Sequence, residues 1–388
     1  MALEARAKSS VVQGSGLLLV SGLSGLAQAA LSPILPKISE HFAGEPNADM
    51  LVRMLVTSVV FAMIAGSLGG GYLADRFGQR RILLAALAGF AISGTAGYFI
   101  DSLPALLASR LALGVFTAAA GVIAVAMITT HLSAVRDRWL GYYHMFGTFC
   151  GIAIVLAVGL IGAYDWRAVF LLYLAGVPVA AIIALVVSEG ERPVAGPRSI
   201  GKIEIPWVPL AYGLAVGALA AASTAFLPFH LREIGEGAPQ RVAMAILPTG
   251  ITGGLAAFAY GWIRIRLSVS TVFLVGFTCA AVAVIVTVAT GTFMGALVGM
   301  AFLGIAVGLL GPNVFSATAG YVPAERRSNA LGIVRAGSYS GPLIAQLMLE
   351  PINSLHGASA ALGGLAVMAL VLAAAAVLMR GSLEPRYA

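Results

Sequence analysis

The residues best able to do chemistry are few and conspicuously placed. Arg110, His144 and Arg335 lie inside long apolar runs, whereas all sixteen acids fall between such runs or at their ends. A charge at the centre of a bilayer costs about 2.5–3.5 kcal/mol on insertion scales, so ionisable groups within apolar spans are candidate site residues by default. Arg110 lies beyond Pro104 by six residues, about 9 Å along a helix. Arg335 lies at a similar depth in a later run. Buried cations without buried acids favour an anionic or a neutral, hydrogen-bonding ligand, and an imidazole can also carry a proton. Each has a plainer role open to it: an arginine snorkels to headgroups, and a lone histidine packs with a hydrogen bond.

Catalysis by this chain is not expected. The five histidines are scattered at 41, 131, 144, 230 and 356, with neither a His-x-x-x-His pair nor a His/Asp cluster. A nucleophile with its base, or a metal cluster, would need such a constellation. Cys150 and Cys279 sit in separate runs with no metal or disulfide spacing. No Gly-x-x-x-x-Gly-Lys-Ser/Thr loop occurs, so direct use of ATP by this chain is not expected either. The reading is no enzyme, no metal and no cofactor. A formal charge of +7 is spread in short clusters rather than one patch, which argues against nucleic acid as a partner.

Those residues must be positioned by membrane helices. Of 388 residues, 60% are hydrophobic and only 10% charged, too few to cover the surface of soluble domains. Windows of about 20 apolar residues predict twelve spans. They lie near 11–35, 51–73, 82–100, 104–130, 139–163 and 167–188, then 206–229, 240–262, 269–290, 293–320, 329–350 and 358–380. The first could pass for a secretory signal ending at Ala27-Gln28-Ala29, but its apolar run continues to Leu35. The expected domains are a six-helix bundle over 1–188, a polar linker over 189–205 and a second bundle over 206–388. Sixteen basic residues on one side against five on the other put both termini in the cytoplasm.

The halves repeat at an offset of about 190 residues. GGGYLADRFGQRRILLAAL corresponds to AYGWIRIRLSVSTVFLVGF, with Gly71 matching Gly261, and the turn at Ala134–Arg138 matches that at Ala324–Ser328. An offset of 191, set by Gly141 and Gly332, puts His144 opposite Arg335. Glycines spaced by four, such as Gly147/Gly151 and Gly337/Gly341, suit close helix packing in lipid. Two equivalent halves are a common mark of secondary transporters.

Between the second and third spans lies GGGYLADRFGQRR, Gly69 to Arg81. Gly78 suits a tight turn, and Arg80 and Arg81 anchor the next span at the lipid surface. Topology does not require Asp75, but a carboxylate there could accept from free N–H groups at another helix's start, such as that near Ser328-Asn329. The stretch from Gly71 to Arg81 resembles the signature of the major facilitator superfamily between its second and third helices. Arg110 and Gly114 in ALLASRLALGVFTAA, and Asp165-Trp166-Arg167 with Phe170, resemble further motifs of that family.

The resemblance implies an all-α membrane protein of twelve helices in two pseudo-symmetric bundles, and a carrier working by alternating access. It implies an inner latch formed by Gly71, Asp75, Arg76, Gly78, Arg80 and Arg81. By the family's architecture, Gln28, Arg110, Ser223, Thr224 and Asn313 line the cavity, with Tyr339 near it. One departure stands out. The fifth helix reads GTFCGIAIVLAVGLIG, without the Gly-Pro pair of the proton antiporters. The expected function is proton-coupled transport of a small organic solute across a bacterial inner membrane by a monomer, with export favoured over uptake or exchange of an organic anion. A non-transporting receptor on the same scaffold is the remote alternative.

Overall fold

The structure, a computed structural model, describes residues 2–45, 47–187 and 205–383. In chain order the helices are α1 (Ala2–Ala29), α2 (Leu35–His41), α3 (Ala48–Phe77), α4 (Gln79–Ala96), α5 (Leu103–His131), α6 (Arg136–Tyr164) and α7 (Gly176–Val186). They continue as α8 (Trp207–Glu233), α9 (Pro239–Arg266), α10 (Val269–Thr290), α11 (Phe293–Tyr321), α12 (Arg327–His356), α13 (Ala358–Leu378) and α14 (Arg380–Leu383). No strand occurs among the described residues.

Ten of the described segments have the length and apolar content to cross a bilayer: α1, α3, α5, α6, residues 167–186, α8, α9, α10, α11 and α13. The third and eleventh expected spans correspond to α4 and α12, which are less apolar for visible reasons. The first turn of α4 holds Gln79, Arg80 and Arg81, and α12 holds Arg327, Arg335, Glu350 and two prolines.

Several boundaries differ from the sequence reading. The first span ends at Ala29 instead of continuing to 35, where Pro33 and Pro36 withhold backbone donors and a 3-10 turn at Ser32–Ile34 leads into α2. The second runs on to Phe77, so Asp75 sits in the last helical turn rather than in a loop. Gly78, at φ 104°, ends α3 and starts α4, a backbone angle that an L side chain strains to adopt. The sixth span begins as 3-10 turns over Arg167–Ala175 before α7. The expected linker, except for Ile205, lies outside the described residues.

The chain forms two compact units. The first comprises Met1–Ala134, Phe146–Ile205 and Ala324–Ala336, and the second Val135–Met145, Pro206–Pro323 and Gly337–Ala388. Thus α6 starts in the second unit and continues in the first, while α12 does the reverse. In the first unit α5 is the central helix, packed on α3, α4 and α1. In the second unit α11, at the matching place in the repeat, packs on α9, α10 and α8. Ser102, Ser268 and Thr292 cap α5, α10 and α11 by accepting from backbone N–H groups three residues on.

Close approach in each unit rests on small residues, because lipid supplies no hydrophobic drive between helices and packing must do so. A Cβ on Gly114 of α5 would fall on the Val59 carbonyl of α3. A Cβ on Gly308 of α11 would fall on the Gly253 carbonyl of α9. The glycine pairs of α6 and α12 serve one purpose in both halves: Gly147 lies against Ser21 of α1, and Gly341 against the Leu214 carbonyl of α8.

Candidate functional site

The exchanged segment 324–336 is fixed to the first unit through the signature stretch. Asp75 Oδ2 accepts from the Asn329 N–H at 2.9 Å, in the first turn of α12. That N–H has no partner within its own helix, and the positive end of the helix dipole favours the carboxylate. Gln79 Nε2 donates to Ser328 Oγ at 2.9 Å, and buried Arg327 Nη1 donates to the Thr129 carbonyl at 3.0 Å. Backbone contact is close. A Cβ on Gly71 would fall on the Ser328 carbonyl, and one on Gly332 would fall on the Ser67 carbonyl.

The other signature residues face elsewhere. Arg80 Nη2 donates to the Ala184 carbonyl at 2.6 Å, tying α4 to the last turn of α7. Arg76 Nη1 donates to the Tyr72 hydroxyl at 3.3 Å, and its guanidinium lies 5.3 Å from the Phe77 ring centre. Arg81 opens α4 beside Arg80. These contacts of Arg76 and Arg80 are therefore with α3 and α7 rather than with Asn329.

The second unit holds a counterpart that the sequence reading missed. Segment 135–145 packs there so that a Cβ on Gly261 would meet Arg138, and one on Gly141 would fall on the Ala257 carbonyl. These are the repeat partners of the Gly71 and Gly332 contacts. The charges are arranged differently. Asp137 Oδ2 pairs with Arg264 Nε at 3.5 Å, and Asp137 Oδ1 accepts from Ser316 Oγ at 2.6 Å. Arg264 Nη1 also donates to the Leu267 carbonyl. The signal was present in the repeat, but Asp75 aligns with Ile265 and Asp137 with Arg327. A search for conserved charge sign at equivalent positions overlooks it.

The candidate ligand residues separate into distinct settings. Arg110 is fully buried, where Nη2 donates to the carbonyls of Ser93 and Gly94 at 3.1 and 2.8 Å. Its guanidinium lies 4.9 Å from the Phe170 ring centre and 5.1 Å from that of Tyr173, so it braces α5 against α4 and the 167–175 turns. Hydrogen bonds from a charged donor contribute about 1.5–3 kcal/mol. Arg110→Leu is therefore expected to lower the melting temperature and the yield of folded protein, leaving ligand affinity of the folded fraction unchanged. A melting curve and a binding isotherm on the same preparation check both.

Asn313 is buried and occupied on both sides, accepting from the Tyr260 hydroxyl at 3.1 Å and donating to the Val269 carbonyl at 3.0 Å. It ties α11 to α9 and α10. Gln28 is exposed and donates to the Ser24 carbonyl at 3.2 Å. Tyr339 is half-buried in the part of α12 that belongs to the second unit.

Arg335 and His144 occupy matching environments in their separate units. Arg335 is half-buried, and its Nη1 donates to the Gly121 carbonyl at 3.4 Å, over a glycine whose Cβ would crowd the guanidinium. His144 is half-buried over Gly311, the repeat partner of Gly121, and stacks on Phe315 at 5.5 Å and 22°. In each case a glycine leaves room for a polar side chain on a helix that starts in one unit and continues in the other.

Comparison with known proteins agrees with this architecture. The solved structure of the proton:xylose symporter XylE superposes with a TM-score of 0.75 at 16% identity, covering 98% of this chain and 97% of that one. The 3-(3-hydroxy-phenyl)propionate transporter of Escherichia coli is 26% identical over 91% of this chain and 92% of its own length. The 4-hydroxybenzoate transporter PcaK of Pseudomonas aeruginosa is 29% identical over 40% of this chain, and the match spans about a third of that protein, 34%. The cephamycin export protein CmcT of Amycolatopsis lactamdurans is 29% identical over 62% of this chain and 47% of its own length. The family model of the Major Facilitator Superfamily matches residues 17–264. The chain belongs to the Major Facilitator Superfamily, a family of membrane transporters.

Proposed function

We propose that this chain is a secondary transporter for a small organic anion, an aromatic carboxylate in the first instance, working by alternating access with the proton as coupling ion. The observation that carries the anion is Arg335. It is a half-buried cation held against the Gly121 carbonyl, in a chain whose described acids all lie at or near helix ends. A guanidinium presents two parallel donors that fit a carboxylate better than a backbone carbonyl does. Two of the relatives are named for aromatic acids, 4-hydroxybenzoate and 3-(3-hydroxy-phenyl)propionate, which is the chemistry such a cation would select. His144, at the equivalent position, is the candidate for carrying a proton.

Alternating access in this reading works through the two exchanged segments. With 324–336 locked by Asp75 and 135–145 locked by Arg264, α6 and α12 are held at one end, and the opposite state requires both locks to open. The basic residues support an orientation with both termini inside, and the cycle is read as that of a monomer in a bacterial inner membrane. Export is the second reading, favoured by the match to the cephamycin export protein.

Proteoliposomes test the proposal. Labelled 4-hydroxybenzoate and 3-(3-hydroxyphenyl)propionate should exchange across the membrane with unlabelled acid, and an imposed proton gradient should set the direction of net flux. Absence of flux for both acids, alongside flux of a lipophilic cation, would contradict the anion reading.

A further inference from the structure

At the end of the second unit away from Arg264, a histidine outside the sites described above is enclosed by groups that count protons. His230, on the last turns of α8, is only 1% exposed. Its Nε2 lies 3.2 Å from the Thr287 carbonyl of α10, and its Nδ1 lies 2.9 Å from Ser359 Oγ of α13. Ser359 Oγ donates to Glu233 Oε2 at 2.7 Å, and Glu233 lies 3.9 Å from Nδ1. The carboxylate also accepts from the N–H groups of Ala358 and Ser359 at 2.6 and 3.3 Å, so it caps the start of α13. Gly357, at φ 84°, makes room for it, since a Cβ there would lie 2.7 Å from Oε1.

The hydrogen inventory of these groups is restrictive. A carbonyl only accepts, so Nε2 must carry a hydrogen. The Ser359 hydroxyl has one hydrogen and faces two partners, Nδ1 and Oε2. If that hydrogen points to Glu233, Nδ1 must carry its own. If it points to Nδ1, the serine and carboxylate oxygens face each other at 2.7 Å unless Glu233 is protonated. Every arrangement that satisfies all three contacts holds one proton more than a neutral imidazole with an ionised carboxylate. We infer that His230, Ser359 and Glu233 form a binding site for one exchangeable proton, which fastens α8 to α13. The inference goes beyond the proposed function and stands whichever solute is carried and whether or not His144 titrates.

The proton has an exit. The Nδ1 hydrogen passes to Oγ as the hydroxyl hydrogen passes to Oε2, leaving neutral His230, an intact serine and a neutral Glu233. The Glu233 side chain is 38% exposed and releases the proton to water. The serine and carboxylate oxygens then repel at their present separation, and the contact between α8 and α13 must loosen. Among the described residues, no other charged group shows a contact with the site. On α8, Arg232 is exposed, and just beyond it Glu236 pairs with Arg241 of α9 at 3.4 Å. Glu350 and His356 of α12 are exposed, α13 has no ionisable side chain, and α10 and α11 offer only Cys279 and Tyr321, each more than two turns away along its helix.

Histidine-detected ¹⁵N NMR on the full-length protein in detergent micelles tests the site, with the His230 signal assigned by its loss in His230→Gln. In the wild type near pH 6.5 both ring nitrogens of His230 should carry protons, and Glu233→Gln or Ser359→Ala should remove one of them. If His230→Gln fails to fold, the signal is assigned as the one that both other variants perturb. A His230 ring with a single protonated nitrogen, unchanged by Glu233→Gln, would overturn the inference.

Discussion

Gly71→Val is expected to lower the transport rate about tenfold or more while the protein still inserts and folds. The added Cβ would fall on the Ser328 carbonyl, so α3 and the start of α12 could not keep their present approach. Overpacking of this kind costs about 1–3 kcal/mol, and each 1.4 kcal/mol is a factor of ten in a population. The cost falls on the locked arrangement alone, because the side chain has room once segment 324–336 moves away. Asp75→Asn should act in the same sense but less, about two- to fivefold. Asparagine keeps one acceptor oxygen for the Asn329 N–H and gives up the second, which helps to hold Ser328. It also gives up the charge at the helix terminus, a contribution of about 0.3–1 kcal/mol at an exposed site. Initial rates in proteoliposomes, with protein orientation controlled, check both. Equal rates for wild type and Gly71→Val would remove the lock from the mechanism.

How the fold was legible follows from what the bilayer demands. Apolar length and basic asymmetry are composition-level constraints, so helix positions, the membrane character and the repeat could be read directly. The partner of Asp75 was also open to inference, since a carboxylate without a topological purpose needs a donor and the helix starting near Ser328 offers free N–H groups. Two kinds of feature were not open. Arg110 and Asn313 look identical to ligand residues in sequence, since a polar residue within an apolar span is equally required for bracing and for binding. The contacts of Arg110 with the carbonyls of Ser93 and Gly94 and the rings of Phe170 and Tyr173 depend on how α4 and the 167–175 turns pack on α5, which no sequence pattern specifies. The Asp137–Arg264 pair was hidden because the repeat conserves close backbone contact, through Gly71 and Gly261, while charge moves to other positions.

Arg335→Ala is expected to weaken binding of an aromatic carboxylate by about 10- to 100-fold, the value of one charge-assisted hydrogen bond at about 1.5–3 kcal/mol. The fold should survive, since Arg335 is only half-buried and its bond to the Gly121 carbonyl is long, at 3.4 Å. Arg335→Lys should recover part of the affinity, as a point charge without the planar fork. A neutral aromatic alcohol of the same shape should bind wild type and Arg335→Ala equally. Isothermal titration with the acid and the alcohol separates loss of the ion pair from general damage. An unchanged acid affinity in Arg335→Ala would assign the anion site elsewhere.

The expectations for Gly71→Val and Asp75→Asn share one premise, that segment 324–336 leaves the first unit during the cycle. The decisive experiment is a distance measurement between spin labels at Tyr72 and Glu325, both exposed, with Cys150 and Cys279 replaced by alanine. The lock mechanism predicts a short separation in the resting protein and a second, longer population that grows when a transported acid is added, and grows further in Asp75→Asn. A single short separation that neither the acid nor Asp75→Asn alters, in protein shown to transport, would contradict it.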